Sequence, residues 1–104
     1  MEKIFKALGD KTRLEILILI ALNPNICLCH IEDCFLLSNS NLSRHLKELE
    51  NACLVDTHKI GKWKHYQLNE MGNQLIELIK KLDNQDLYNS LQVKNAALNK
   101  EPKC

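Results

Sequence analysis

Ser38-Asn39-Ser40-Asn41-Leu42-Ser43-Arg44-His45-Leu46-Lys47-Glu48-Leu49, followed at 54–68 by Leu-Val-Asp-Thr-His-Lys-Ile-Gly-Lys-Trp-Lys-His-Tyr-Gln-Leu, decides the fold. The four small polar residues are the types that accept hydrogen bonds from the open N–H groups of a helix start. Leu42, Leu46 and Leu49 then share one face at helical spacing, while Ser43, Arg44 and Lys47 look elsewhere. Two β-prone runs follow around Ile60-Gly61-Lys62, with glycine where a hairpin turn needs a positive φ. The stretch predicts an amphipathic helix followed at once by a basic β-hairpin.

Upstream, Ile4, Phe5 and Leu8 form a short apolar-periodic segment closed by Gly9, and Asp10 is placed to cap a second helix. That helix, with Leu14, Ile16, Leu17, Ile18, Leu19, Ile20 and Leu22, is apolar nearly all round, which predicts burial on several sides and an end at Asn23-Pro24-Asn25. Leu28, Ile31, Phe35 and Leu36 give a short third helix over 27–36. After the hairpin, Asn69-Glu70 caps a last helix whose stripe of Leu75, Ile76, Leu78, Ile79 and Leu82 is too wide for so small a domain to bury alone. The expected fold is mainly α with a small β-hairpin, a winged helix-turn-helix in the order α-α-α-α-β-β-α. Residues 1–83 are expected to form that domain, and 84–104 an Asn/Lys-rich extension without a strong pattern, open to fraying.

Bulk composition is that of one globular domain: 104 residues, 45% hydrophobic, 26% charged and 5% aromatic. The net charge of +1 hides an uneven distribution. Over 38–68 there are Arg44, Lys47, Lys59, Lys62 and Lys64 against Glu48, Glu50 and Asp56, and the hairpin from Thr57 onward holds no acidic residue. Such a segment suits double-stranded DNA. Ser38, Asn39, Ser40, Asn41, Ser43, Arg44, His45 and Lys47 are the candidates for base-edge and phosphate contact from the helix, with Arg44 offering a bidentate fork. Lys59, Lys62 and Lys64 are the candidates for phosphate contact from the hairpin, positioning the protein without reading much sequence. Each feature alone is better read as a cap or a solvated edge, and only their order favours DNA. His45 is balanced between DNA contact and a hydrogen bond inside the domain. Alternation along the second strand puts Trp63 and His65 on one face and Lys64 and Tyr66 on the other, with Trp63 expected to pack under the wing.

Five cysteines, an opening Met-Glu-Lys and no membrane-length apolar run point to a reducing, cytoplasmic setting without membrane association. The odd count and the tight Cys27-Leu28-Cys29 favour ligand duty over a disulfide framework. Soft thiolates select thiophilic ions, and trivalent arsenic or antimony prefers three sulfurs in a pyramid. On an ideal helix Cys27 and Cys29 point about 200° apart, and Cys34 lies on the Cys27 face but about 10.5 Å further along. The three cannot meet on an intact helix. Either its first turn is unwound, or binding unwinds it, or Cys53, Cys104 or a second subunit supplies the third sulfur. Cys34, beside Phe35 and Leu36, equally fits a small core residue. His30 offers a less favoured zinc ligand.

Leu8-Gly9-Asp10-Lys11-Thr12-Arg13-Leu14, Ser43-Arg44-His45-Leu46-Lys47-Glu48-Leu49 and Gly61-Lys62-Trp63-Lys64-His65-Tyr66-Gln67-Leu68 together resemble the ArsR/SmtB family of metal-responsive repressors, over roughly residues 2 to 82. The resemblance implies a homodimer held by its first and last helices, sitting on a palindromic operator and released by a toxic metal or metalloid. Cys27 and Cys29 resemble the arsenic-sensing branch, which implies As(III) or Sb(III) as inducer. That branch has a third cysteine three residues on, where this chain has Glu32 and then Cys34. Cys53 stands where the family pattern has a glycine and is read as a turn residue. No histidine follows His65 and no cysteine precedes Cys27, so the pattern departs from the family's zinc and its cadmium and lead sensors. The competing readings are a thiol redox-sensing repressor and a small arsenic-handling thiol protein. Enzyme activity is not expected, since no phosphate-cradling loop or Ser/His/Asp arrangement accompanies the thiols.

Overall fold

A computed structural model describes residues 2–35, 37–82 and 86–98. The elements are α1 (Glu2–Leu8), α2 (Lys11–Leu22), β1 (Ile26–Cys27), α3 (Leu28–Cys34), α4 (Asn39–Asn51), β2 (Val55–Ile60), β3 (Trp63–Leu68), α5 (Glu70–Leu82) and α6 (Asp86–Leu98). Mostly helical, with one small antiparallel sheet, it is the winged arrangement the sequence predicts. Two elements are additional. β1 turns the hairpin into a three-stranded sheet, and α6 follows α5.

α2 is the hub. Ile16 to Ile20 are at most 1% exposed, because α1, α4, α5, α6 and β3 all pack around the helix. Its uniform apolarity therefore has a partner in every direction. Asp10 caps it, its carboxylate accepting from the Arg13 N–H at 3.1 Å, and the Asn23 N–H closes the other end on Leu19 and Ile20 carbonyls. Asn25 takes a left-handed φ of 66°, a conformation asparagine tolerates, and the chain turns there into β1.

The sheet order is β1-β3-β2. Ile26 pairs with Tyr66 and Cys27 with His65, and β2 pairs with β3 from Val55↔Leu68 to Ile60↔Trp63. Tyr66 and Leu68 are buried while Trp63 is 43% exposed. The alternation along β3 is as predicted, but the core takes the Tyr66 face, so Trp63 lies on the outer face and not under the wing. α2 packs on β3, and on the face opposite Tyr66 and Leu68 the hairpin leaves His58, Trp63 and Gln67 exposed.

Gly72 explains how α5 docks: a methyl group there would collide with the Leu54 carbonyl oxygen. Asn69 fixes the approach, accepting from Gly72 N–H at 2.9 Å and donating to the Cys53 carbonyl at 2.6 Å. α6 packs mainly on α2, also meeting α3 and α5. Leu91 is buried, Asn95 accepts from Asn23 at 2.7 Å, and Lys80 lies 4.3 Å from the centre of the Tyr88 ring. The apolar pattern past Asp83 is weak, yet the residues from Asp86 to Leu98 form a helix packed against α2, where the sequence predicts an extension open to fraying. The end of the predicted extension, 99–104 with Cys104, lies outside the described residues.

Candidate nucleic-acid interface and thiol site

α4 is held by its apolar face and presents its polar one. Leu42, Leu46 and Leu49 are buried against α1, α2 and β2. Asn39, Ser40, Asn41, Ser43, Arg44 and Lys47 are exposed. Ser38 is the N-cap, its hydroxyl accepting from Asn41 N–H at 3.2 Å, and lies 3.3 Å from the Ser40 hydroxyl. Arg44 donates to the Asn41 side chain at 3.3 Å, which orients the guanidinium along the helix start.

His45 takes the other of its two balanced roles. Buried, it accepts at Nδ1 from Arg13 Nε at 3.3 Å, and Arg13 also donates to the Lys6 carbonyl at 2.6 Å. Burial holds the imidazole below its ordinary pKa, the Asp10 carboxylate opposing and Arg13 and Arg44 reinforcing the effect. The ring is therefore an internal strut joining α4 to α2 and, through Arg13, to α1. Sequence reading assigned no role to Arg13; the signal was its place three residues after the Asp10 cap.

On the wing, Lys59 and Lys62 are exposed, Lys62 sitting by the turn at Gly61 (φ +63°) and 5.6 Å from the centre of the Trp63 ring. Lys64 is half-buried, 3.5 Å from Glu50 of α4 and 5.2 Å from the centre of the Tyr66 ring. It braces the wing against α4, whereas Lys59 and Lys62 are open to solvent.

The thiols are arranged differently from an ideal-helix picture. Cys27 ends β1 with extended φ/ψ (−76°, 144°) and is the N-cap of α3, while Cys29 lies in the first turn. Their Sγ atoms approach to 2.9 Å, both residues buried. The 200° separation does not apply because Cys27 is not helical, so the pair converges with α3 intact. Cys34 is in the hydrophobic core with Ile31 and Phe35, and among the described residues no three His, Cys, Asp or Glu side chains gather in an arrangement that holds a metal. His30 is buried, its Nε2 without a hydrogen-bond partner among the described residues. Cys53 is exposed at a φ of 59°, the left-handed turn position where a glycine would be relaxed. α3 makes its main contacts with β1, β3 and α6, and α4 with α1, α2 and β2.

Residues 10–57 match the family model described as bacterial regulatory protein, arsR family. The chain is 40% identical over 81 residues to an uncharacterized HTH-type transcriptional regulator of Methanocaldococcus jannaschii, covering 78% of this chain and 89% of that one. It is 39% identical over 69 residues to the arsenical resistance operon repressor of Bacillus subtilis, covering 66% of each chain. Among solved structures, HlyU from Vibrio cholerae superposes with a TM-score of 0.69 at 31% identity, over 77% of this chain and 87% of that one.

Proposed function

Because the chain belongs to the arsR family of bacterial regulatory proteins, we propose that it is a homodimeric transcriptional repressor of a palindromic operator, released when Cys27 and Cys29 take up As(III) or Sb(III). The observation that carries this reading is the convergence of the two sulfurs at the β1–α3 junction. β1 is hydrogen-bonded to wing strand β3, and α4 is the next element of the chain after α3. A chelate closed across that junction bears on both DNA-facing parts at once. Soft thiolates suit these ions, and the relatives named arsenical resistance operon repressors support the class of inducer.

Cys34 is proposed as the third sulfur. Reaching the other two would take it out of the core and open α3, so filling the third position and disturbing the approach to α4 become one event. The exposed polar face of α4, with Arg44 held by Asn41, is proposed to enter the major groove, and Lys59 and Lys62 to touch phosphates. Lys64 contributes by holding the wing. For the dimer, Phe5 on α1 and Leu78 and Leu82 on α5 are exposed, which supports pairing through these helices. No described helix is long and apolar enough to cross a membrane; the cytoplasm is the proposed compartment.

Operator-binding assays with and without As(III) test the reading. Cys27→Ser and Cys29→Ser are expected to keep operator affinity and lose release, and Cys34→Ser to lose release while still folding. A coupling of about 1–3 kcal/mol would lower wild-type operator affinity roughly 5–150-fold, with the reciprocal loss of As(III) affinity on DNA. Release of Cys27→Ser at wild-type As(III) concentrations would sink the proposal. The close sulfurs also support a second reading, in which peroxide oxidises the two thiols to a disulfide and is itself reduced to water. Release by peroxide but not by As(III) would favour it.

A further inference from the structure

The register places a row of potential ligands across the whole sheet. Cys27 of β1 is opposite His65 of β3, and His65 is opposite His58 of β2. Directly opposed residues in antiparallel strands share a face, with Cβ atoms about 4.5–5.5 Å apart. This is the face away from buried Tyr66. The three side chains do not converge as they stand. Their shared row leads us to infer that His58, His65 and Cys27 become a site for a borderline divalent cation of the zinc, cobalt or nickel class once they turn toward one another, distinct from three-sulfur capture of a metalloid.

Three observations carry it. The His58 and His65 rings already lie together, centroids 5.6 Å apart, so both are within reach of one ion. Rotation about their side-chain torsions out of the stacked arrangement would aim one in-plane lone pair of each at the roughly 2.0–2.1 Å that such cations require. His65 Nδ1 lies 3.2 Å from the Trp63 carbonyl oxygen, which can only accept. In the neutral ring this bond favours the tautomer with the proton on Nδ1 and the lone pair on Nε2, the outer-shell arrangement found behind metal-ligating histidines. Finally, the paired positions of β2 and β3 on this face are Asp56, His58, Ile60, Trp63, His65 and Gln67, without a lysine or arginine. Lys59 and Lys64 belong to the opposite face.

Exposure falls along the row, from exposed His58 through half-buried His65 to buried Cys27. A cation would enter at the histidines and reach the thiol by a rotation of the Cys27 side chain away from Cys29. Hairpin and β1–α3 junction would then be tied by one ion, giving the wing a ligand class of its own.

Cobalt(II) titration of the reduced full-length protein, followed by absorption, tests this. Wild type is expected to bind one ion per chain with a thiolate-to-cobalt charge-transfer band. His58→Asn and His65→Asn should each weaken binding by more than the roughly 10–100-fold that loss of an outer-shell partner costs, and Cys27→Ser should remove the charge-transfer band. Circular dichroism checks that the variants are folded. As(III) binding by the two histidine variants should stay at the wild-type level, so failure here is separable from failure of the arsenic reading. Cobalt affinity unchanged by both histidine substitutions, or wild-type binding without the thiolate band, would overturn the inference.

Discussion

Arg13 on α2 donates from Nε to Nδ1 of His45 on α4 at 3.3 Å, and both side chains are buried. A lone pair on Nδ1 is needed to accept this bond, so the neutral ring with its proton on Nε2 is the form that fits. Protonation would place a second cation against the guanidinium.

The first prediction is a pH dependence of stability. Burial first, with help from Arg13 and Arg44, depresses the folded-state pKa of His45 below its ordinary value of 6.5. The unfolded chain then binds more protons than the folded one, and stability rises with pH across that interval. The contribution is complete above the ordinary value and is lost as pH falls through the depressed one. Urea midpoints between pH 7.5 and 5.5 should fall more steeply for wild type than for His45→Asn, which keeps an acceptor but cannot charge. Equal slopes would contradict the strut.

Arg44 and Lys62 should separate base reading from phosphate contact. Lys62→Ala is expected to weaken all DNA sequences alike and to reduce the salt slope of log affinity by about one for each phosphate it no longer neutralises. Arg44→Ala should cost about 1–3 kcal/mol and relax preference at one operator position. A Lys64→Ala variant, by contrast, should act through wing placement, with a smaller change in salt slope. Competition binding at several ionic strengths measures all three.

Gly72→Ala should be destabilising despite alanine's better helix propensity, because its methyl group meets the Leu54 backbone oxygen. A cost of about 1–3 kcal/mol is typical of overpacking. Thermal or urea unfolding that finds Gly72→Ala as stable as wild type would mean that α5 shifts at no cost.

Leu78 on α5 is 49% exposed and Phe5 on α1 66% exposed. Charged substitutions there, Leu78→Glu and Phe5→Glu, should leave the fold intact and move the protein toward monomer in sedimentation or light scattering. Operator affinity should drop with them, since the proposed dimer holds two half-sites one helical turn apart. Monomeric variants with undiminished operator affinity would remove dimerisation from the mechanism.

Much of this was legible in the chain. The Asp10 and Ser38 caps, the face of α4 built by Leu42, Leu46 and Leu49, and the turn at Gly61 all follow from residue types at fixed spacings, and the structure has each in place. The positive φ of Cys53 agrees with its reading as a turn residue. Trp63 was assigned to the wrong side because alternation gives two faces without saying which one the core takes. β1 was not foreseen, since a two-residue strand leaves no periodic trace and exists only by pairing with Tyr66 and His65.

Local chemistry along the chain therefore determined the helices, the hairpin, the polar surface of α4 and the presence of a closely spaced thiol pair, because caps, turns and helical faces depend on neighbours within a few residues. Tertiary structure alone decided that Cys27 is extended and meets Cys29, that His45 turns inward to Arg13, that α6 closes over α2, and that His58 and His65 stand in line with Cys27. Those relationships depend on which strand pairs with which and which face is covered, and these are fixed only when distant segments compete for the same buried surface.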